Sequence, residues 1–464
     1  MAGIDNIASL VKALEAGSYN AAPGSLVQGS ALQVEDLSAV MHLTTFENKH
    51  LKLAKMLGSE SCKSTLAQFD RQLSYGQFGG SAQLEGNVGQ EQTSDFVRIV
   101  VPMCFYSHTR RVTLASTMVG TLDGKKSDER AAQDAALKVA ADIEFDCFRG
   151  RADFSNAGVF DGNPSAMPGT MPNIIGVDVH VRQSDLLRNS QDLMFNEFGS
   201  GDSVVLPAGG TLTQDLVEDL SVRSALNFGE ADKLLVAPTV LANYNKIVFG
   251  KERIILAGSA QGATGAELKK QWVSGGVVDI ESSNFLRGKT IPAPSRSDGP
   301  AAPASVTPAS VTGSVATSFV AGEVYTYYAT AGNEIGESVA CASASVTVAV
   351  DGDQIDVAIA DPASGTWRFF NVYRSAAGGT AASAKFIGRI VAGSSTSFKD
   401  LGNKLPGFST GFLVEANAMG FKELCPYSRL KLAQTDLSLP EAHFRFCTLV
   451  CPMPRHLALA DNLL

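Results

Sequence analysis

The sequence predicts a mixed α+β protein interrupted by an all-β module, and three observations predict it. Between Leu286 and Leu401 there is no leucine, although leucines are frequent on both sides, and between Arg296 and Arg368 there is no lysine or arginine. The same stretch opens with Pro292, Pro294, Pro300, Pro303 and Pro308 set among Ala, Ser and Thr. Outside it, helical and strand-like patterns alternate. A sharp break in composition followed by ordinary sequence marks a module spliced into a larger domain.

The chain has 464 residues, enough for two or three domains with their own cores. Hydrophobic residues make up 45%, so a folded chain is expected, while charged residues make up only 18%, which fits surface buried between subunits. A net charge of −9 argues against a protein whose main task is to grip nucleic acid, because phosphate binding needs clustered Lys and Arg. The Arg110-Arg111 and Arg149-x-Arg151 pairs are too small for such a patch. Seven scattered cysteines form no disulfide framework and are expected as reduced thiols. No secretion signal and no apolar run of membrane-spanning length is visible, so the expectation is a protein made in a cytoplasm.

Residues 1 to about 64 read as an arm. Ile7 to Leu14 can form a short helix, glycines and Pro23 break it, and helical spacing resumes from Leu37 to Leu57. Leu66 to Val101 has strand-like ends and a middle holding Gly76, Gly79, Gly80, Gly86 and Gly89, which predicts a long two-stranded flap. Two strands cannot bury their own faces, so the flap is expected to lie on a neighbouring subunit through Phe69, Tyr75, Phe78 and Phe96.

Ser127 to Phe148 carries the clearest helix pattern. Ser127 is placed to cap it, Asp128 and Glu129 suit the first turn, and Gly150 follows the end. Ala132, Ala136, Val139, Ile143 and Cys147 fall on one stripe. Such a helix spans roughly 33 Å, long enough to serve as the backbone of a domain. Asn156 to Asn173 reads as loop, Thr213 to Phe228 as helix, and ADKLLVAPTVLANYNKIV as a buried strand ending near Ala237 with a helix begun by Pro238. Trp272 to Ile280 reads as one further strand, and FRFCTLVCP (444–452) as a long apolar strand.

Inside the splice, GEVYTYYAT, SVACASASVTVAV, DQIDVAIA, TWRFFNVYRS and KFIGRIV alternate between turn signals. Five to seven short strands in about a hundred residues predict a β-sandwich. Trp367, Phe369, Tyr373 and Phe386 are the expected core aromatics.

No catalytic, cofactor-binding or metal site is expected. Gly120-x-x-x-Gly124-Lys125-Lys126-Ser127 is one residue short of a phosphate loop and reads better as a turn before a helix. Cys447-x-x-x-Cys451 would need two more ligands to hold zinc, with only His443 and His456 nearby, so buried thiols are the better reading. Asp351, Asp353 and Asp356 lack calcium-loop spacing and fit a hairpin turn.

The order of arm, glycine-rich flap, long small-residue helix, strand-proline-helix core and late return strands resembles the major capsid protein of tailed bacteriophages, the Hong Kong-type fold also seen in encapsulins. The resemblance covers roughly residues 1–292 and 411–464. It implies an α+β fold with an N-terminal arm (1–64), an extended loop (65–110), a peripheral and axial core with a spine helix (111–292), and return strands (411–464). The extended loop of that family lies across the next subunit, and some members crosslink it through a lysine to a neighbour's asparagine. No lysine occurs from Ser64 to Gly124, so no such crosslink is expected.

The spliced module (293–410) resembles phage and bacterial immunoglobulin-like or fibronectin type III-like domains through YTYYATAGNEIGES, FNVYRS, FIGRI and SFKDLG. Together the resemblances imply a coat protein assembling as hexamers and pentamers around double-stranded DNA without sequence specificity. They imply scaffolding and portal partners, assembly in a bacterial host cytoplasm, location in the virion, no membrane partner, and a surface module that holds host glycans weakly. A tail or fibre component with the same sandwich, and a glycan-acting enzyme with a binding module, are the competing readings; the long helix and the presence of only two tryptophans count against them.

Overall fold

The computed structural model describes residues 47–75, 82–89, 91–118, 126–150, 174–182, 205–249, 270–288, 291–292, 295, 299–313, 317–333, 336–367, 369–391, 397–434 and 436–464. Most of the expected arm, Phe78, the 156–173 loop and the turn at 120–125 lie outside them.

In chain order, helix α1 (Leu53–Met56) and strand β1 (Ser59–Ser61) precede β2 (Leu66–Ser74), β3 (Asp95–Pro102) and β4 (Cys104–Thr113). Helices α2 (Leu114–Met118), α3 (Ser127–Arg149) and α4 (Val177–Arg182) follow, then β5 (Val205–Gly210), α5 (Gln214–Leu226), β6 (Lys233–Val236), α6 (Pro238–Phe249), β7 (Lys270–Val273) and β8 (Gly276–Ser282). Seven strands come next: β9 (Ser305–Val311), β10 (Val324–Gly332), β11 (Ala344–Thr347), β12 (Gln354–Ala360), β13 (Phe369–Arg374), β14 (Lys385–Val391) and β15 (Ser397–Asp400). The chain closes with β16 (Ser409–Val414), β17 (Gly420–Lys431), β18 (Ser438–Val450) and β19 (Ala458–Leu463).

Among the described residues the body holds two sheets besides the β2–β3 hairpin. One has the order β5-β19-β16-β6-β8-β7 and mixes parallel with antiparallel pairs; the other, β1-β17-β18-β4, is covered on one face by α3. Their inner faces share one continuous core, with Leu234, Phe412 and Ala458 from the first sheet, Cys104, Phe421 and Leu449 from the second, and Val139, Ile143 and Phe148 from α3. Leu234, Leu235 and Val236 are all buried, as expected of a strand covered on both faces, and Pro238 starts α6 where its missing N–H costs nothing. Thr213 caps α5 by accepting a hydrogen bond from Leu216 N at 3.2 Å.

Three expectations need correction here. Ser127 is the first residue of α3 and not its cap: Lys126 takes that position, and the Ser127 hydroxyl donates to Ser116 O at 2.8 Å, tying α3 to α2. Trp272 to Ile280 is not one strand, because Ser274-Gly275 turn the chain and Gly276, at φ +127°, lets it return as an antiparallel hairpin. The stretch toward Leu57 is not one helix in its described part, since a 3-10 turn at Asn48–His50 precedes α1.

Strands β9 to β15 make a sandwich of two sheets, β11-β10-β13-β14 and β15-β12-β9, which pair with no strand of the body among the described residues. Its core is Val306, Phe319, Tyr325, Tyr327, Ile355, Val357, Phe370, Val372, Ile390 and neighbours. Of the expected core aromatics, Trp367 is half-buried against that core. The other three are not in it. Phe370 and Val372 face the opposite sheet, so by the two-residue period Phe369 and Tyr373 face away. Phe369 lies 3.7 Å under the Arg389 guanidinium, whereas Tyr373 is completely buried in a second, smaller core cluster with Tyr328 and Ala384, against which Phe386 packs.

The chain leaves the body and returns at one place. A Cβ on Gly288 would sit 2.5 Å from Gly407 O and 2.6 Å from Phe408 O, so the outgoing and returning segments touch backbone to backbone. Lys404 pairs with Asp461 at 2.9 Å, and Asn462, held at φ +62°, accepts from Leu405 N and donates to Asn403 O.

Candidate subunit-contact surface

The hairpin β2–β3 has two unequal faces. The register sets Ala67 opposite Val101, Phe69 opposite Ile99, Asp70 opposite Arg98 and Gln72 opposite Phe96. Directly opposed residues share a face. At the root, Ala67 and Val101 are buried with Met103 and Val450, and Phe69 and Ile99 pack beside them. Arg71 fastens this face to the body, donating from Nε to Pro452 O at 2.6 Å and from Nη2 to Cys451 O at 2.8 Å.

The other face is left in water. Phe96 is 65% exposed, Leu66 and Val100 nearly half, and the Asp70–Arg98 pair closes with two bonds of 2.7 and 3.1 Å between them. Toward the tip, Tyr75, Leu84 and Val88 are almost fully exposed. Of the four expected contact residues, Phe96 and Tyr75 are thus exposed, Phe69 faces its own body, and Phe78 lies outside the described residues.

A second apolar surface lies on the sheet β1-β17-β18-β4. Its inner face meets α3 through Cys104, Cys447 and Leu449, and through Tyr106, which donates to Asp146 Oδ2 at 2.6 Å. On the outer face Phe444 stacks on Phe446 at 5.1 Å, Phe446 meets Phe105 edge-on at 5.0 Å, and Leu430 stands beside them. Phe105 and Leu430 are both more than half exposed. The period-two placing of Phe444 and Phe446 in FRFCTLVCP was the sequence signal for this stripe, masked there by the run being apolar on both faces. Ion pairs Arg429–Glu441, Arg445–Glu423, Lys422–Glu60 and Arg111–Asp436 run along the same strands.

Cys104, Cys447 and Cys451 are buried, and burial pushes their thiols up to about 12, about 11 and about 12. They pack as small apolar groups. Asp353 is buried in its turn, accepting from Ser310 and Thr312 hydroxyls at 2.7 and 3.1 Å. Among the described residues no group of three or more His, Cys, Asp or Glu is placed to hold a metal, and no helix is long and apolar enough to cross a membrane.

No protein-family profile and no curated protein matches the sequence. Among solved structures, the chain is similar to the capsid of a native GTA particle, with 8% identity over 96% of this chain and 100% of that one, at a TM-score of 0.47. It is similar to the capsid of Myoviridae Phage XM1, with 10% identity over 92% and 97% and a TM-score of 0.41. It is also similar to the SrpI encapsulin of Synechococcus elongatus, with 8% identity over 93% and 92% and a TM-score of 0.38.

Proposed function

We propose that this chain is a coat subunit of the tailed-phage major capsid type, closing with copies of itself into an icosahedral shell around double-stranded DNA. One observation carries the reading. A hairpin is bolted to the body by its root while its outer face keeps Phe96, Val100 and Leu66 in water. Among the described residues no second layer covers this face, and in this reading another copy does. The outer stripe of Phe105, Phe444, Phe446 and Leu430 supplies a second surface of the same kind. The work asked of the chain is association through buried apolar area, worth about 25 cal/mol per Å², repeated over every subunit; no catalytic role is part of the proposal.

Residues 293–410 are, in this proposal, an inserted module of immunoglobulin-like or fibronectin type III-like kind on the outer surface, where it holds host glycans weakly. Its separate sheets and core, and the touching of its entry and exit at Gly288 and Gly407, support an insertion. Hexamers and pentamers, scaffolding and portal partners, and assembly in a bacterial cytoplasm belong to the same reading.

Negative-stain electron microscopy of the purified full chain, alone and with its own scaffold, tests it. Closed shells with external knobs are expected. A monodisperse monomer under both conditions overturns the assembly reading.

A further inference from the structure

Two cysteines face each other across the sheet that α3 covers. The pairing of β4 with β18 runs without a shift from Thr113 opposite Ser438 to Cys104 opposite Cys447. The last pair is therefore directly opposed, with both side chains on one face. That face is the inner one: Cys104 and Cys447 are buried, and Cys147 of α3 joins them in the same core. All three are free thiols. Cys104 Sγ reaches Pro102 O across 4.0 Å, a weak bond that holds it loosely. Cys447 lies close enough for its charge to disfavour ionisation of Cys104, and of Cys147 as well.

Directly opposed residues of an antiparallel pair have Cα atoms about 4.5–5.5 Å apart, inside the roughly 4.4–6.8 Å that a disulfide spans. Their Cβ atoms, about 4.5–5.5 Å apart, need to close by only about 1 Å to carry the bond. Cys147 approaches Cys447 from the helix layer, whose backbone stands farther off than that of a paired strand, so register favours Cys104 as the partner.

We propose that Cys104 and Cys447 are a modification site, closing into a cross-strand disulfide when the protein meets a small-molecule disulfide such as oxidised glutathione. One protein thiolate attacks a sulfur of the oxidant and expels a glutathione thiolate. The second protein thiolate attacks the resulting mixed disulfide and expels the other. The oxidant's sulfur–sulfur bond breaks, one forms between Cys104 and Cys447, and two electrons and two protons leave on two glutathione thiols. Burial keeps both protein thiols protonated, at about 12 and about 11, so the reaction is slow and waits on α3 lifting from the sheet. The bond then closes a loop of roughly 340 residues that holds α3 and the whole sandwich, and it fixes β4 to β18. The site does not rest on the capsid reading, since it needs only the folded subunit.

The test incubates the purified full chain with oxidised glutathione at about pH 8.5, in urea below the unfolding midpoint so that α3 can open locally. Free thiols are then alkylated in full denaturant, and the intact mass and a non-reducing peptide map are read. Two of the seven cysteines should escape alkylation. Before alkylation the chain should be lighter by about 2 Da, and the peptide holding Cys104 should stay joined to that holding Cys447 until a reductant is added. The oxidised chain, returned to buffer, should melt roughly 5 °C or more higher, and reductant should reverse the rise. Cys104→Ala and Cys447→Ala should each abolish both the link and the rise; if either fails to fold, the wild-type map still decides the site. Seven alkylated cysteines, glutathione adducts without a protein link, or a link through any other cysteine, Cys147 included, overturns the site. A Cys104–Cys447 link that leaves the melting temperature unchanged overturns its locking of β4 to β18.

Discussion

The β2–β3 hairpin and the β9–β15 sandwich both set aromatic and β-branched residues against polar ones along short strands, yet they finish with opposite surfaces. In the sandwich a second sheet lies over the first, so Tyr327, Phe370, Val372 and Ile355 are completely buried. Each such side chain contributes about 1.5–3 kcal/mol by leaving water. In the hairpin the inner face is covered only at its root, and Phe96 keeps 65% of its surface in water. The difference lies in the number of layers and not in composition. A segment with two layers can stand alone; one with a single layer advertises a partner.

The largest expected effect attacks the self-sufficient region. Arg374 Nη1 and Tyr327 OH both donate to Asp400 Oδ2, at 2.6 and 2.9 Å, and all three side chains are buried between the sandwich sheets. Asp400→Ala leaves the Arg374 guanidinium buried with no counter-charge, a loss of about 3–5 kcal/mol. If the sandwich is independent, calorimetry should show its transition moving down while that of the body stays. A body transition that falls equally would show that the two cores unfold as one.

Smaller, and aimed at the seam, is Gly288→Ala. The added methyl would meet two backbone carbonyl oxygens at 2.5 and 2.6 Å, neither of which can swing aside like a side chain. A loss of about 1–3 kcal/mol is expected, felt by the body because Ser409 and Thr410 just beyond belong to β16. An unchanged melting profile would mean that the two crossing segments are loosely held.

The body supplies a reference through pH. Burial raises the Asp146 carboxyl to about 6, against the hydrogen bond from Tyr106, which lowers it. A carboxyl raised in the folded state favours folding in its protonated form. That contribution is fully present below the unfolded value near 4 and is lost as pH rises through about 6. Asp146→Asn keeps the neutral form at every pH. Its stability relative to wild type should therefore climb between pH 4 and pH 7, by an amount on the order of 2 kcal/mol, as read from urea midpoints. A flat difference would show that Asp146 ionises in the fold as freely as in the open chain.

Much of this arrangement was legible in the chain. The leucine gap marked the strands of the sandwich, the glycines of 76–89 marked a hairpin, and Pro238 marked the start of α6 to the residue. What was not legible depended on contacts between distant segments. Phe369 and Phe370 are adjacent and chemically equal, and only the pairing of β10 with β13 decides which one enters the core. Ser127 looked like a cap because the sequence does not show that Ser116 would claim its hydroxyl. Arg71 looked like one polar residue in a strand; the carbonyls it holds lie some 380 positions away. Local pattern gives elements and periods, whereas sites arise where unrelated segments converge.

The smallest effect on the isolated chain is also the sharpest test of the comparison. Phe96→Ser changes an exposed residue on the open face of the hairpin, opposite Gln72, with the root contacts of Ala67, Val101 and Arg71 untouched. Subunit stability should shift by no more than about 0.5 kcal/mol. Assembly should suffer far more, because a buried aromatic anchor at an interface is worth about 2 kcal/mol or more, and a shell repeats each contact in every subunit. Light scattering and sedimentation of wild type and variant at equal concentration measure this. The single-layer reading requires a large loss of assembled particles with an unchanged melting temperature. A variant that assembles like wild type would mean that the outer face of β2–β3 is not where copies meet, and the Phe105–Phe446 stripe would be the next surface to alter.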